Sequence, residues 1–530
     1  MYRINQLVLP VGFKKSELNK YVARKIKADE SMLKAVKLLK LSIDARVKSD
    51  IRYISNVAFD IDGYFDHHKL RGVEKYEEKQ VSLPKYNGKK DKIVVVGSGP
   101  AGLFASLVLA EAGACVMLIE RGYEMSKRKV AVDSMMLDGV LDEVSNIQFG
   151  EGGAGTFSDG KLNTGIASEY VRYVLETFHK YGADENILYE AKPHVGTDVL
   201  SSVIVNIREY LKSIGVDVMF ETKLVDVKVE GDKLVSVAVE KNSQLHNIEC
   251  DKVVLAIGHS SRDTIRMLYN KNIAFKQKPF SLGYRIEHLQ QDINISQYGR
   301  DNCARSDGDV VGLPPAEYKL VEHVGERVVY TFCMCPGGVV VPATSVNGCV
   351  VTNGMSYNAR DGKNANSALL VSVGVEDFPS NHPLAGIELQ EQWEQFAYSK
   401  TGSYKAIVQR VGDFLRGVPT TALGKVIPTY KPGYVLGSVE DMLPPYVVSS
   451  IKDALPRLGN KIKCFADNDA ILTGVETRSS APYQIVRDDN MQTSIQGVYA
   501  IGEGAGMAGG IVSSAVDGIK CAVAIIKQNA

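Results

Sequence analysis

The sequence predicts an α/β protein: a Rossmann-like domain split around an α+β domain and preceded by a small basic α/β module. Three observations carry this. A glycine loop, Gly97-Ser98-Gly99-Pro100-Ala101-Gly102, follows an apolar run at 93–96 and opens a helical stretch. A second strand–glycine–acid segment, Gly497-Val498-Tyr499-Ala500-Ile501-Gly502-Glu503, stands near the other end of the 530-residue chain. Charge is unevenly divided: residues 1–90 hold 20 Lys/Arg against 11 Asp/Glu, and the remainder holds 42 against 51.

In chain order, residues 1–90 read as the basic module. Residues 4–10 alternate as a strand, 30–41 show helical apolar spacing, and 51–61 read as a further strand. Residues 83–90, Leu83-Pro84-Lys85-Tyr86-Asn87-Gly88-Lys89-Lys90, have linker composition. The module's charge has two readings: a solvated face answered by the acidic body, or docking of an anionic partner such as RNA. The pair His67-His68 reads as surface.

Residues 91–275 form the first part of the Rossmann-like domain. The run at 93–96 lacks alternation, as a strand buried on both faces does. Gly97 permits the turn, Gly99 lets the backbone approach a pyrophosphate, and Gly102 lets the helix at 103–112 pack on the strand. Pro100 and Ala101 complete the loop, and the helix N-terminus offers unpaired N–H groups to phosphates. The strand at 115–119 ends at Glu120, whose carboxylate suits a ribose diol. Strands at 216–220, 224–229 and 233–239 follow, then one at 253–257 that runs into Gly258. NAD and FAD share the glycine-loop unit, so the loop by itself leaves both open.

The distal segment changes that. Glu120-Arg121-Gly122 and the segment 497–503 resemble the two FAD-binding signatures of flavoprotein oxidoreductases of the glutathione-reductase-like superfamily. There the late strand brings an acid to the ribityl chain and pyrophosphate. Many members have Asp; this chain has Glu503. The following helix, with Gly510 and Ile511 at its start, is expected to aim its N-terminus at the flavin, favouring negative charge there. The resemblance also implies contacts from Val225, Ala256 and Gly258. A closer similarity covers the whole chain. Residues 149–162, Phe332-Cys333-Met334-Cys335-Pro336-Gly337-Gly338 and residues 505–511 resemble a family of bacterial FAD-dependent dehydrogenases. It implies FAD and names no substrate.

Residues 276–470, punctuated by Pro and Gly, read as the substrate domain, and 471–530 as the chain's return to the FAD-binding domain. The loop 150–161, with Gly152, Gly153, Gly155, Thr156 and Lys161, is expected to line the isoalloxazine, its amides against a flat or anionic ligand. Lys161, Cys335 and Arg478 are the candidate catalytic residues. A Lys161 ammonium would stabilise reduced flavin. Cys333 and Cys335 fall on the same side of an extended strand and are either redox-active or simply buried. His259, Arg262, Arg285 and Arg478 are candidate anion contacts, with a structural ion pair as the alternative for each Arg. No second glycine loop follows a strand mid-chain, so either one flavin face serves both half-reactions or NAD(P)H binds transiently without a full Rossmann unit.

The expected function is an FAD-dependent oxidoreductase moving hydride between a small organic substrate and flavin N5. A flavin-dependent RNA-binding or RNA-modifying protein and a flavoprotein with purely structural FAD are the alternatives. No apolar run approaches the ~18 residues of a membrane helix. The N-terminus lacks signal-peptide character, and eight scattered cysteines fit a reducing cytoplasm. No metal-ligand spacing is present.

Overall fold

The computed structural model describes residues 1–78, 81–86, 91–299 and 309–528. At its centre lies a five-stranded parallel sheet in the order Val498–Ala500, Lys252–Leu255, Lys92–Val96, Cys115–Ile119, Asp217–Met219. The first and last parts of the chain therefore pair side by side through Lys252–Leu255. Both faces are covered. Ile93 and Val95 pack under helices Pro100–Glu111, Thr197–Ser213 and Ile511–Gln528. Val94 and Val96 pack on the opposite face, against the antiparallel strands Thr222–Glu230 and Lys233–Lys241 and helix Arg262–Asn270. Burial on both sides is why these strands read as unbroken apolar runs, each Val or Ile contributing about 1.5–3 kcal/mol. A third strand, Gln244–Glu249, extends the antiparallel sheet; its mostly exposed residues carry no apolar signal.

The second sheet has seven strands in the order Val321–Val324, Arg327–Cys335, Asn364–Val373, Phe280–Leu289, Ile471–Glu476, Ala406–Arg410, Tyr434–Leu436. Only the last pair is parallel. Helices Ala385–Ser399 and Pro445–Lys461 pack against it in one large core. Ile471–Glu476, where the sequence reading returns the chain to the first domain, is hydrogen-bonded within this sheet. The return follows at Tyr483–Ile485, paired with Phe275–Gln277.

The N-terminal module is a four-stranded sheet, Leu33–Asp44, Arg52–Ile61, Tyr2–Pro10, Val73–Lys75, with helix Leu18–Ile26 packed on it. The helix expected over 30–41 is instead the long strand Leu33–Asp44. Its pairing with Arg52–Ile61 shifts register at Leu33/Ala35 and again at Leu38/Lys40. Each bulge inserts a residue and breaks the period-2 alternation, so the apolar spacing imitates a helix. The linker expected at 83–90 lies partly outside the described residues.

Candidate functional site

The carboxyl ends of the parallel strands open into one cavity of about 720 Å³. Gly97, Gly99, Pro100 and Ala101 line it where helix Pro100–Glu111 begins with Gly99 as its N-cap. Ala256 and Gly258 line it from the adjacent strand end, and Gly502, Glu503, Gly510 and Ile511 from the distal segment. Two separate glycine loops meet here. Gly153, at φ +63°, sets its Cα against Gly99, and a Cβ on it would come within 3.0 Å of the Gly99 Cα. Side chains at either position would fill the space between the loops. Backbone thus faces the cavity, beside a helix N-terminus that favours anions.

Glu120 is buried at the end of Cys115–Ile119. One of its oxygens accepts from the Ser98 N–H (2.9 Å) and hydroxyl (2.8 Å). The other accepts from the N–H groups of Gly122 (3.0 Å) and Gly150 (3.1 Å). A carboxylate has about four acceptor sites, and all are taken. The acid expected to hold a ribose diol lines the cavity and also ties three loops together. Arg121 lines the cavity, forks onto Asp263 at 3.0 Å through both terminal nitrogens, and stacks 4.2 Å over Phe149.

Other expected contacts divide similarly. Gly155 and Lys161 line the cavity. Gly102, Gly152 and Thr156 lie behind it, with the Thr156 hydroxyl buried and unpartnered. Val225 is displaced by Thr222, Lys223 and Leu224, which form the lining. A register shift between Leu224 and Asp226 makes Val225 the extra residue of a bulge, which turns it off the cavity.

Lys161 donates to the Met334 carbonyl and lies 3.4 Å from Asp159 and 3.9 Å from Glu317. Burial works against its charge, but Asp159 and Glu317 hold its pKa above the ordinary lysine value. It is an ammonium at neutral pH, on the cavity wall. Arg478 also reaches the wall, but its Nε and Nη2 fork onto Glu394 (3.0 and 2.8 Å) and its Nη1 donates to Ser260 and Ser345. Arg262 grips the same fully buried Glu394 at 2.8 Å. Arg285 is fully buried on Glu476, Asn366 and the Cys333 carbonyl. All three arginines are structural pairs; Arg478 has no free fork for a substrate carboxylate. His259 lies on the wall with Nδ1 3.2 Å from Glu503.

Of the cysteine pair, Cys333 faces the cavity and Cys335 lies fully buried. Sequence reasoning favoured Cys335; the CxC motif was visible, but which sulfur faces the site depends on the bulge in the strand. Lys192, Glu317 and Lys319 join the wall from segments with no local motif.

A family model described as FAD dependent oxidoreductase matches residues 92–309, and one described as FAD-dependent protein, C-terminal domain-like, matches 279–479. A domain of unknown function matches residues 1–60. An uncharacterized protein of Clostridium beijerinckii is 43% identical over 540 residues, covering 99% of this chain and 98% of its own length. The chain belongs to this family of FAD-dependent oxidoreductases. Its cofactor is FAD. Solved structures with likeness include CtdE in complex with FAD (12% identity, 82% of this chain, 84% of that chain, TM-score 0.32) and a geranylgeranyl bacteriochlorophyll reductase-like protein from Thermoplasma acidophilum (12%, 84% and 80%, TM-score 0.35). The FAD assignment rests on the family matches. None of them supports the RNA reading of the basic module, whose lysines partly pair within it, as Lys37 does with Glu78 at 2.6 Å. Among the described residues no helix is long and apolar enough to cross a membrane.

Proposed function

We propose that this oxidoreductase holds FAD in the cavity between the two glycine loops and moves hydride between a small organic substrate and flavin N5. The observation that carries the reading is continuity: one cavity joins the glycine loop at Gly97–Ala101 to the wall formed by Lys161 and Phe332-Cys333-Met334. FAD supplies the two-electron chemistry when bound. The chain's residues do the rest. The N–H groups at the start of helix Pro100–Glu111 take the pyrophosphate, with Gly502 and Glu503 across from them. Gly153 and Gly155 leave room for a flat ring. Lys161 presents a fixed positive charge to an anionic group, and its Met334 bond keeps the ammonium from swinging to solvent. Small substrates enter between the 158–165 loop and the strand Arg327–Cys335, whose half-exposed Phe332 offers an apolar surface. NAD(P)H is one donor this mouth would admit.

The test is anaerobic photoreduction of the purified holoprotein, followed by reoxidation with metabolite pools and, separately, reduction by NADH or NADPH. Substrate-dependent reoxidation in the absence of oxygen is expected. A protein that never retains flavin, or whose flavin no donor or acceptor can turn over, overturns the proposal.

A further inference from the structure

We propose that the substrate taken at this site is an organic anion with an apolar body, its head held by Lys192 and Lys319 and its body laid on Phe332. The inference deepens the function proposed above and rests on it, since the same cavity is to hold the flavin. The segment that leads into strand Val321–Val324 supplies the first observation. That strand pairs antiparallel with Arg327–Cys335, Val321 opposite Tyr330. The register runs one step further. Thr331 donates its N–H to the Leu320 carbonyl at 2.9 Å, and its hydroxyl accepts from the Leu320 N–H at 2.8 Å. Lys319 is therefore the residue opposite Phe332, and residues directly opposite share a face. Both are exposed and both line the cavity. Tyr318 and Leu320, on either side of Lys319, are buried in the core of the second sheet. A cation and an exposed aromatic ring thus stand side by side on the wall.

The second observation is a charge imbalance around Glu317. Its carboxylate takes Arg360 at 3.0 Å and lies 3.4 Å from Lys192 and 3.9 Å from Lys161. Asp159 is fully buried and takes the same Arg360 at 2.8 Å, with Lys161 at 3.4 Å and the Ser356 hydroxyl donating to it. Among the described residues no ion pair reaches Lys319. Two carboxylates thus face four cations, Lys161, Lys192, Lys319 and Arg360. Glu476, the other carboxylate at this end of the cavity, is matched by Arg285 at 3.2 Å. His194, beside Asp159, adds no charge at neutral pH, because burial pushes it down to about 4. Unmatched positive charge in a partly enclosed mouth attracts an anion more strongly than it would in open water. Lys161 is less exposed than Lys192 and is tied to the Met334 carbonyl. Lys192 and Lys319 stand nearer solvent, where an incoming head group meets them. A carboxylate or a phosphate suits either ammonium, and the Phe332 ring suits the carbon attached to it. NADPH carries a phosphate as well, so the test separates substrate from donor.

The test titrates the oxidised holoprotein with benzoate, phenyl phosphate and hexanoate, read as a saturable shift of the flavin absorbance bands, with benzamide as the neutral isostere of benzoate. At least one of the three anions is expected to bind, and benzamide about tenfold more weakly than benzoate. Lys192→Gln and Lys319→Gln are each expected to raise the Kd of the anion about tenfold, the worth of one charge-assisted hydrogen bond, and to leave that of benzamide unchanged. A merely structural role for the lysines would weaken both ligands alike. Phe332→Ala is expected to weaken benzoate and to leave acetate unchanged. Flavin bands that none of the three anions shifts, equal affinity for benzoate and benzamide, or anion binding indifferent to both lysine substitutions overturns the proposal. So does a loss confined to NADPH, with NADH and the three anions unaffected, since the lysines would then serve the donor's phosphate. Absence of flavin bands overturns the cavity reading instead. Lys319→Gln changes an exposed side chain and breaks no ion pair among the described residues, so it decides even if another variant fails to fold.

Discussion

Glu394 shows what a single residue holds together. It is fully buried and takes both Arg262 and Arg478, with Thr477 donating to it at 2.8 Å. Burial works against its charge, yet the two guanidinium groups keep its carboxyl far below the usual range. Removing one member of a buried pair leaves uncompensated charge and costs about 3–5 kcal/mol. Glu394→Gln is therefore expected to lower the urea midpoint of unfolding sharply, because two arginines lose their partner at once. An unchanged midpoint would show that Arg262 and Arg478 find other partners. Arg478 was legible in the sequence as a charged residue near the flavin end. Its engagement by Glu394 was not, because the two are brought together only by helix Ala385–Ser399 crossing from elsewhere in the chain.

At the scale of elements, two helices set the cavity's width. Helix Ile511–Gln528 packs on helix Pro100–Glu111 at Gly518, where a Cβ would overlap the carbonyl of Ala101. Ala101 itself lines the cavity. Gly518→Val is expected to push the helices apart at a cost of about 1–3 kcal/mol and to lower the flavin retained per protein, measured as the ratio of flavin to protein absorbance. Full retention would place the helix contact outside the cofactor's support. The N-terminal module contributes an element by a different route. Leu41 exchanges backbone hydrogen bonds with Tyr189 (2.7 Å) and Ala191 (2.9 Å), and Tyr189 and Val311 of the body complete the module's core. A module whose core is finished by the body is part of the fold, and two of its lysines sit at that joint, Lys15 over the Tyr189 ring and Lys48 donating to the Ser296 carbonyl at 2.7 Å.

Across the whole molecule, two buried histidines contribute to the response to acid. Burial, followed by Arg360, pushes His194 down to about 4; burial pushes the fully enclosed His288 to about 4 as well. The unfolded chain binds these protons from about pH 6.5 downward, the folded chain only near pH 4. Each histidine's share of stability is thus present above about 6.5 and is lost as pH falls through 4. Glu476, raised by burial to about 7, acts in the opposite sense, its share lost as pH rises from about 4.5 through 7. Comparing variants cancels that opposing term. Between pH 6.5 and 4, wild type is expected to lose about 3 kcal/mol more than His288→Gln, read from urea titrations at each pH. Parallel pH profiles would mean that His288 is protonated alike in both states. The parallel strands, the glycine loop and the distal acid were determined by the sequence by itself, and the resemblance they carry named FAD. Each depends on neighbours in the chain: unbroken apolar runs, glycines at fixed spacing, an acid at a strand end. The strand at Leu33–Asp44, the turning away of Val225 and the exposure of Cys333 rather than Cys335 were decided by tertiary structure alone. In each case a bulge adds a residue, twice over in Leu33–Asp44, and since a strand's side chains alternate with period two, each added residue exchanges the two faces. The partner strand sets where that residue goes, and no local pattern records it.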